Sequence, residues 1–258
     1  MFTIAVESDM HCGSVYGLAN PADVPTEYKD IARLLFKWRE GIIKEVGKVD
    51  MLIHLGEVTD GPGHKSAIEL YETDMDAQAE SAADLMTMWN CNDYRMCFGS
   101  KYHTGCDSKT ERMVVKELKL KGKLVDIKDT QRLNVDGVKI NARHHSGASS
   151  TPQGKWSQLA KGATTDMLRG VYRDYPGADL YLRAHTHEFA YVGNDAWAAY
   201  NSPALQWPLG EYGLKMDRVW YTMGLMVIKI ESGMWNTTPY LFKAKLPEET
   251  YANITGKN

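Results

Sequence analysis

Two histidines one residue apart, His185 and His187, close the short apolar run that begins at Tyr181. In an extended segment alternate residues share a face, so both imidazoles can address one point where the strand runs out. That disposition suits a metal ion. The chain holds eight histidines, and His11, His103, His144 and His145 also fall where an apolar run breaks into small or polar residues. Such strand-end positions are where sites are built. In chain order the clusters are Asp9-x-His11, Gly56-Glu57-x-x-Asp60-Gly61, Gly99-Ser100-x-x-His103, His144-His145 and Ala184-His185-x-His187. Carboxylates and imidazoles in this mixture have the composition of a two-metal hydrolytic site.

The elements that must position these clusters are readable from periodicity. Residues 2–7, 51–55 and 94–98 are short apolar runs, each ending in glycine and polar residues, and they predict strands that feed loops. Between them, Ile31, Leu34, Leu35, Trp38, Ile42 and Val46 fall at helical spacing, as do Ile68, Tyr71, Met75, Ala79, Ala82, Met86 and Trp89. Both stripes are expected to be core, with the methionines of 75–96 filling gaps. Strand, helix, strand, helix, strand predicts a parallel sheet with ligands outside its carboxyl ends. The second half changes character. After a Lys-rich helix at 107–121, strands are expected at 124–127 and across an Asp136-Gly137 turn at 131–142, then a helix at 163–175. Further strands are expected at 179–183, 188–192, 217–230 and 239–243, so the two halves are read as two sheets facing each other in one domain.

At 258 residues and 43% hydrophobic, the chain is long enough to bury a large core. A net charge of -3 argues against a general polyanion binder. The first residues lack the charged and apolar regions of a signal peptide, and no apolar run approaches the ~20 residues of a membrane span, so a cytoplasmic protein with no membrane partner is expected. Cys12, Cys91, Cys97 and Cys106 show no C-x-x-C spacing, which predicts reduced thiols.

Taken together, the five clusters resemble the calcineurin-like metallophosphoesterase family, whose usual pattern is D-x-H, G-D-x-x-D, G-N-H-[DE], a later H, and G-H-x-H. The resemblance spans residues 3 to about 190. Three positions depart from it: Glu57 stands for Asp, Ser100 for Asn, and His103 lies four residues after Gly99 instead of two. The resemblance implies a four-layer α/β/β/α sandwich holding two divalent metals, drawn from Mn, Fe, Zn or Ni. Asp9, His11 and His187 would hold one ion, Ser100 (weakly), His144 and His185 the other, and Glu57 would bridge. A phosphate-ester substrate would then be attacked by hydroxide formed between the metals, as in a phosphatase, phosphodiesterase or nuclease. The alternative, motivated by Glu57 and Ser100, is a degenerate non-catalytic family member binding a phosphorylated ligand or a protein partner, and a third reading is a one-metal hydrolase in which only the Asp9, His11 and His187 site fills. His103 is the candidate general acid or a ligand compensating for Ser100, and Lys101 and Arg183 are candidate phosphate clamps.

Plainer readings apply elsewhere. His54, inside an apolar strand, and His64, in a glycine loop, are assigned to structure, and Asp60 taken alone reads as a solvated turn residue with metal or substrate contact as its sharper role. Adjacent strand residues point to opposite faces, so one of His144 and His145 is expected to bind, with His144 favoured and His145 packing or touching substrate. Lys109, Arg112, Lys116, Lys119, Lys121 and Lys123, interleaved with Glu111 and Glu117, read as a solvated face, with nucleic-acid binding as the sharper alternative. Phe189, Tyr191, Trp197, Tyr200, Trp207 and Tyr212 read mostly as core, and Asn201 to Gln206 as a polar turn lining the mouth of the site.

Overall fold

Strand β1 (Phe2–Glu7) pairs in parallel with β2 (Met51–His54), β2 with β3 (Asp93–Cys97), and β3 with β4 (Leu124–Lys128), so their carboxyl ends share one edge. The computed structural model describes residues 1–61, 69–147, 149, 151–172, 177–210 and 221–243; His64, Tyr212 and the Cys106 side chain lie outside that description. A second sheet has the order β5 (Gln131–Val135), β6 (Val138–His145), β7 (Leu180–Ala184), β9 (Ala198–Asn201), β8 (Ala190–Gly193). Within it β6, β7 and β9 run parallel. The expected Asp136-Gly137 hairpin joins β5 to β6, with both turn residues at positive φ.

The layers follow from which faces are apolar. Ile4, Val6, Ile53, Ile140, Leu182 and Ile228 meet between the sheets. The other face of the first sheet, with Ala5, Leu52 and Tyr94, is covered by α1 (Lys29–Val46), α2 (Met75–Thr87) and α4 (Lys109–Leu120) through Leu35, Ala82 and Val114. Helix α5 (Pro152–Tyr172) covers the second sheet through Leu159 and Ala163, against Tyr181 and Ala199. The order is helix, sheet, sheet, helix, as expected. No helix of the described residues is long and apolar enough to cross a membrane.

Several expectations are corrected. Helix α2 begins at Met75 because Asp74 caps it, its carboxylate accepting from the N–H groups of Asp76 (2.8 Å) and Ala77 (3.2 Å). Helix α5 starts at Pro152, eleven residues before the expected 163, and proline's fixed φ suits a first helical turn. Leu34 is exposed, because only its neighbour Leu35 faces the sheet. The halves do not map onto the sheets. Strands β10 (Met223–Glu231) and β11 (Met234–Phe242) join the first sheet, with the backbone of β10 pairing antiparallel along the otherwise open edge of β1 and its Val227 and Ile228 packing on opposite faces.

A buried ion pair fixes the end of β1 just before the first cluster. Glu7 accepts from Arg39 Nε (2.7 Å) and Nη2 (3.1 Å) and from Trp89 Nε1 (2.8 Å). Removing one partner of such a pair costs about 3–5 kcal/mol, so α1 and the segment after α2 are locked to the strand that delivers Asp9.

Candidate metal centre

Asp9 and His11 follow β1, Glu57 and Asp60 follow β2, His144 lies on β6, and His185 and His187 follow β7. Asp9, His11, Glu57, His185 and His187 all have positive φ, between 46° and 79°. A non-glycine residue held there costs on the order of 1–3 kcal/mol and persists where its surroundings over-determine it. At Asp9, His11 and Glu57 the surroundings are two loops zipped together: Asp9 N–H donates to Gly56 O, His11 N–H to Glu57 O, Cys12 N–H to Val58 O and Asp60 N–H to Cys12 O, each at 3.0–3.1 Å. The left-handed turns swing five side chains inward at one point.

Glu57 is central, and its two oxygens face different groups. Oε2 lies 3.3 Å from His11 Nε2, on the side where Asp9 Oδ1 is 3.3 Å from His187 Nε2. Oε1 lies 3.1 Å from His144 Nε2 and 3.8 Å from His185 Nδ1. Asp9, His11, Glu57 and His187 form one group able to hold a metal ion, Glu57, His144 and His185 a second, and His11, Asp60 and His103 a third; in each the donor atoms lie within 4.8 Å of one another.

Three of the four imidazoles have their outer nitrogen tied to an oxygen. His11 Nδ1–H donates to Asp60 Oδ1 (2.8 Å), His144 Nδ1–H to Leu55 O (2.8 Å), and His187 Nδ1 meets Tyr221 Oη (2.8 Å). Each tie fixes the ring and leaves Nε2 turned towards the carboxylates, the usual arrangement behind a metal-ligating histidine. A neutral Nε2 presents a lone pair to a carboxylate, which is repulsive unless a proton or a cation stands between. Both oxygens of Asp9 and Nε2 of His11 are buried without a hydrogen-bond partner among the described residues. Buried polar atoms are rarely left so, and this donor set of carboxylate oxygen and imidazole nitrogen fits a pair of borderline divalent cations.

The electrostatics agree. Burial works against charge on His11, yet the Asp60 and Glu57 carboxylates outweigh it and push the imidazole up to about 10. Burial also opposes charge on His144, and Glu57 and Asp9 push it up to about 9. Asp9 and Glu57 are held below the usual carboxylate range, burial being overcome by His187 at Asp9 and by His11, His144 and His185 at Glu57. At His187 burial outweighs the attraction of Asp9 and holds the imidazole below its usual value, so the upward shifts are those of His11 and His144.

Asp60 is buried and paired, which corrects its reading as a solvated turn residue: besides His11 it approaches His103, whose Nδ1 lies 3.4 Å from Oδ1 and 3.2 Å from the Asp60 carbonyl. His103 sits on the short helix α3 (Lys101–Thr104), its ring 4.5 Å from that of His11. Ser100 hydrogen-bonds Glu57 Oε1 through its hydroxyl and its N–H. His145 is exposed, its ring 4.8 Å from that of His185, and Lys101 is exposed at the start of α3. Arg183 is not a phosphate clamp. It is buried on β7, where its guanidinium donates to Asp166 Oδ2 (2.8 Å) and the Asn141 and Leu182 carbonyls.

The segment Asn201 to Leu205 is buried and does not line a mouth; Leu205 N–H donates to the carbonyls of Ser8 and Asp9 and supports the first loop from behind. Trp207 and Tyr200 are core as expected, whereas Tyr191 is exposed. His54 is structural, accepting the Gly56 N–H at 3.2 Å, and Cys12, Cys91 and Cys97 are free and buried.

Glu111 is the main omission. It is fully buried and turned away from the exposed Lys109, Arg112 and Lys116, accepting from Glu57 N–H (2.9 Å) and Gly99 N–H (3.0 Å). Burial pushes its carboxyl up to about 8 against the pull of those N–H groups. The signal was present in the sequence, since Glu111 stands three, four and seven residues before the buried Val114, Val115 and Leu118. Tyr221 gave no such signal.

No protein-family model and no curated protein sequence matches the chain. Solved structures similar to it include an archaeal phosphodiesterase (12% identity, 93% of this chain and 100% of that one, TM-score 0.48). Vps29 from Entamoeba histolytica complexed with zinc aligns at 13% identity over 94% and 100% of the two chains, TM-score 0.42. A conserved predicted phosphoesterase from Streptococcus pneumoniae aligns at 12% over 93% and 98%, TM-score 0.39.

Proposed function

We propose that this protein is a metal-dependent phosphoesterase acting on a phosphomonoester or phosphodiester. The observation that carries the reading is Glu57, whose two carboxylate oxygens face two separate imidazole groups and so can be shared between two cations. Asp9, His11 and His187 would hold one cation and His144 and His185 the other. Two divalent ions there would supply Lewis acidity for a phosphoryl oxygen and lower the pKa of an attacking water. Ser100, whose neutral hydroxyl is a weak metal ligand, orients the Glu57 carboxylate by hydrogen bonding.

His103 supplies the proton for the leaving alkoxide. Its Nδ1 is engaged by Asp60, so Nε2 is the free donor, and the side chain is 21% exposed, within reach of a substrate arriving from solvent. His145 and Lys101 stand on the exposed rim as phosphate contacts. The protein should hydrolyse a chromogenic phosphodiester with added Mn2+ and lose that activity on Asp9→Ala or His185→Ala. A wild-type protein that binds Mn2+ yet forms no product is a binding protein on the same fold, and that result rejects the enzymatic reading.

A further inference from the structure

Glu111 has no place in the ligand set just assigned, yet it brings a fourth buried carboxylate to a cluster that already holds Asp9, Glu57 and Asp60. The ion pairs described for those three are all with imidazoles. A buried carboxyl is costly there unless its oxygens are hydrogen-bonded. What it does is geometric. Oε1 accepts from the N–H groups of both Glu57 and Gly99, and Oε2 accepts from Gly99 as well (3.0 Å). It thus ties the loop after β2 to the loop after β3.

The two loops are already in backbone contact at this point. A side chain at Gly56 would meet the Gly99 Cα and N at 2.8 Å, and one at Gly99 would meet Glu57 N at 2.6 Å and Glu57 Cγ at 2.7 Å. Only glycine fits at either position, and the close approach sets the Glu57 and Gly99 N–H groups side by side. One carboxyl group can accept from both, and Glu111 does so from α4.

We propose that Glu111 is a positioning residue of the metal centre: by clamping the backbone of Glu57 to that of Gly99, it holds the Glu57 carboxylate where one oxygen faces His11 and the other His144. This rests on the phosphoesterase reading, because it assigns Glu111 to the same shared carboxylate. Outer residues of this kind typically change metal affinity by about 10–100-fold.

The test is titration of the full chain with Mn2+, following heat and the electron paramagnetic resonance signal, in wild type, Glu111→Ala and Glu111→Gln, with thermal unfolding and circular dichroism on each. Wild type is expected to take up two ions with an exchange-coupled signal. Glu111→Ala, folded by circular dichroism, is expected to bind the weaker ion at least about tenfold less tightly and to show the signal of isolated ions. Glu111→Gln keeps an oxygen for both N–H groups and should recover most of the lost affinity. A folded Glu111→Ala with wild-type affinity and an unchanged coupled signal overturns the proposal while leaving the metal centre standing, even if its unfolding temperature falls. Glu111→Gln as impaired as Glu111→Ala also overturns it, since charge and not the clamp would then be responsible. Wild type that takes up no Mn2+ overturns this proposal and the phosphoesterase reading together.

Discussion

Replacing His103 by Ala decides between a proton donor and a ligand, because the two roles respond differently to the leaving group. The Asp60 carboxylate and carbonyl both lie within 3.4 Å of His103 Nδ1, which leaves Nε2 to deliver the proton. General acid catalysis by a positioned side chain contributes about 10²–10⁴-fold, or roughly 3–5 kcal/mol of barrier at 1.36 kcal/mol per decade. That full loss is expected with an alkyl ester, whose alkoxide departs badly without a proton. A nitrophenyl ester departs as a stabilised phenolate, so its kcat should fall by less than about tenfold. The assay is kcat for both esters in wild type and His103→Ala, with bound Mn2+ counted in each. Equal losses on the two substrates, accompanied by a lost ion, would refute the acid assignment and make His103 a ligand.

Arg183→Leu should destabilise the fold by about 1–3 kcal/mol by removing its charge-assisted hydrogen bond to Asp166, which keeps Arg143 and Arg169 at 3.6 and 3.4 Å, while KM for a small phosphodiester stays within twofold; a large rise in KM at unchanged stability would restore the phosphate-clamp reading. Burial lowers His54 to about 4, so the unfolded chain, near 6.5, binds the extra proton on acidification. Its contribution is whole above pH 6.5 and declines towards pH 4 by a total of about 3 kcal/mol. Urea midpoints at pH 7.5 and 5.0 should therefore fall further in wild type than in His54→Gln, and equal falls would count against a buried neutral His54.

The strand ends were legible because their signal is local. Asp9-x-His11 and His185-x-His187 each stop an apolar run, and the glycines at 56 and 99 mark where the chain turns beneath the site. What escaped depends on contacts far apart in sequence. Arg183 looked like a free cation beside the histidine pair, and only the packing of α5 on β7 reveals Asp166 as its partner. Strand β10 was recognised as a strand, but nothing in its own residues says that it pairs with β1. Asp60 and Glu111 were read as solvated because acidic residues in a turn or among lysines usually are. Both are buried by the N–H and imidazole donors that converge on them.

The central claim is that Glu57 is shared between two cations. Crystals grown with Mn2+ and measured at the manganese absorption edge test it directly. Two anomalous peaks are predicted, one between Glu57 Oε2 and the Asp9, His11 and His187 side chains, the other between Oε1 and the His144 and His185 rings. A map with no peak at the Glu57 carboxylate, in protein that binds Mn2+ elsewhere, would contradict the account.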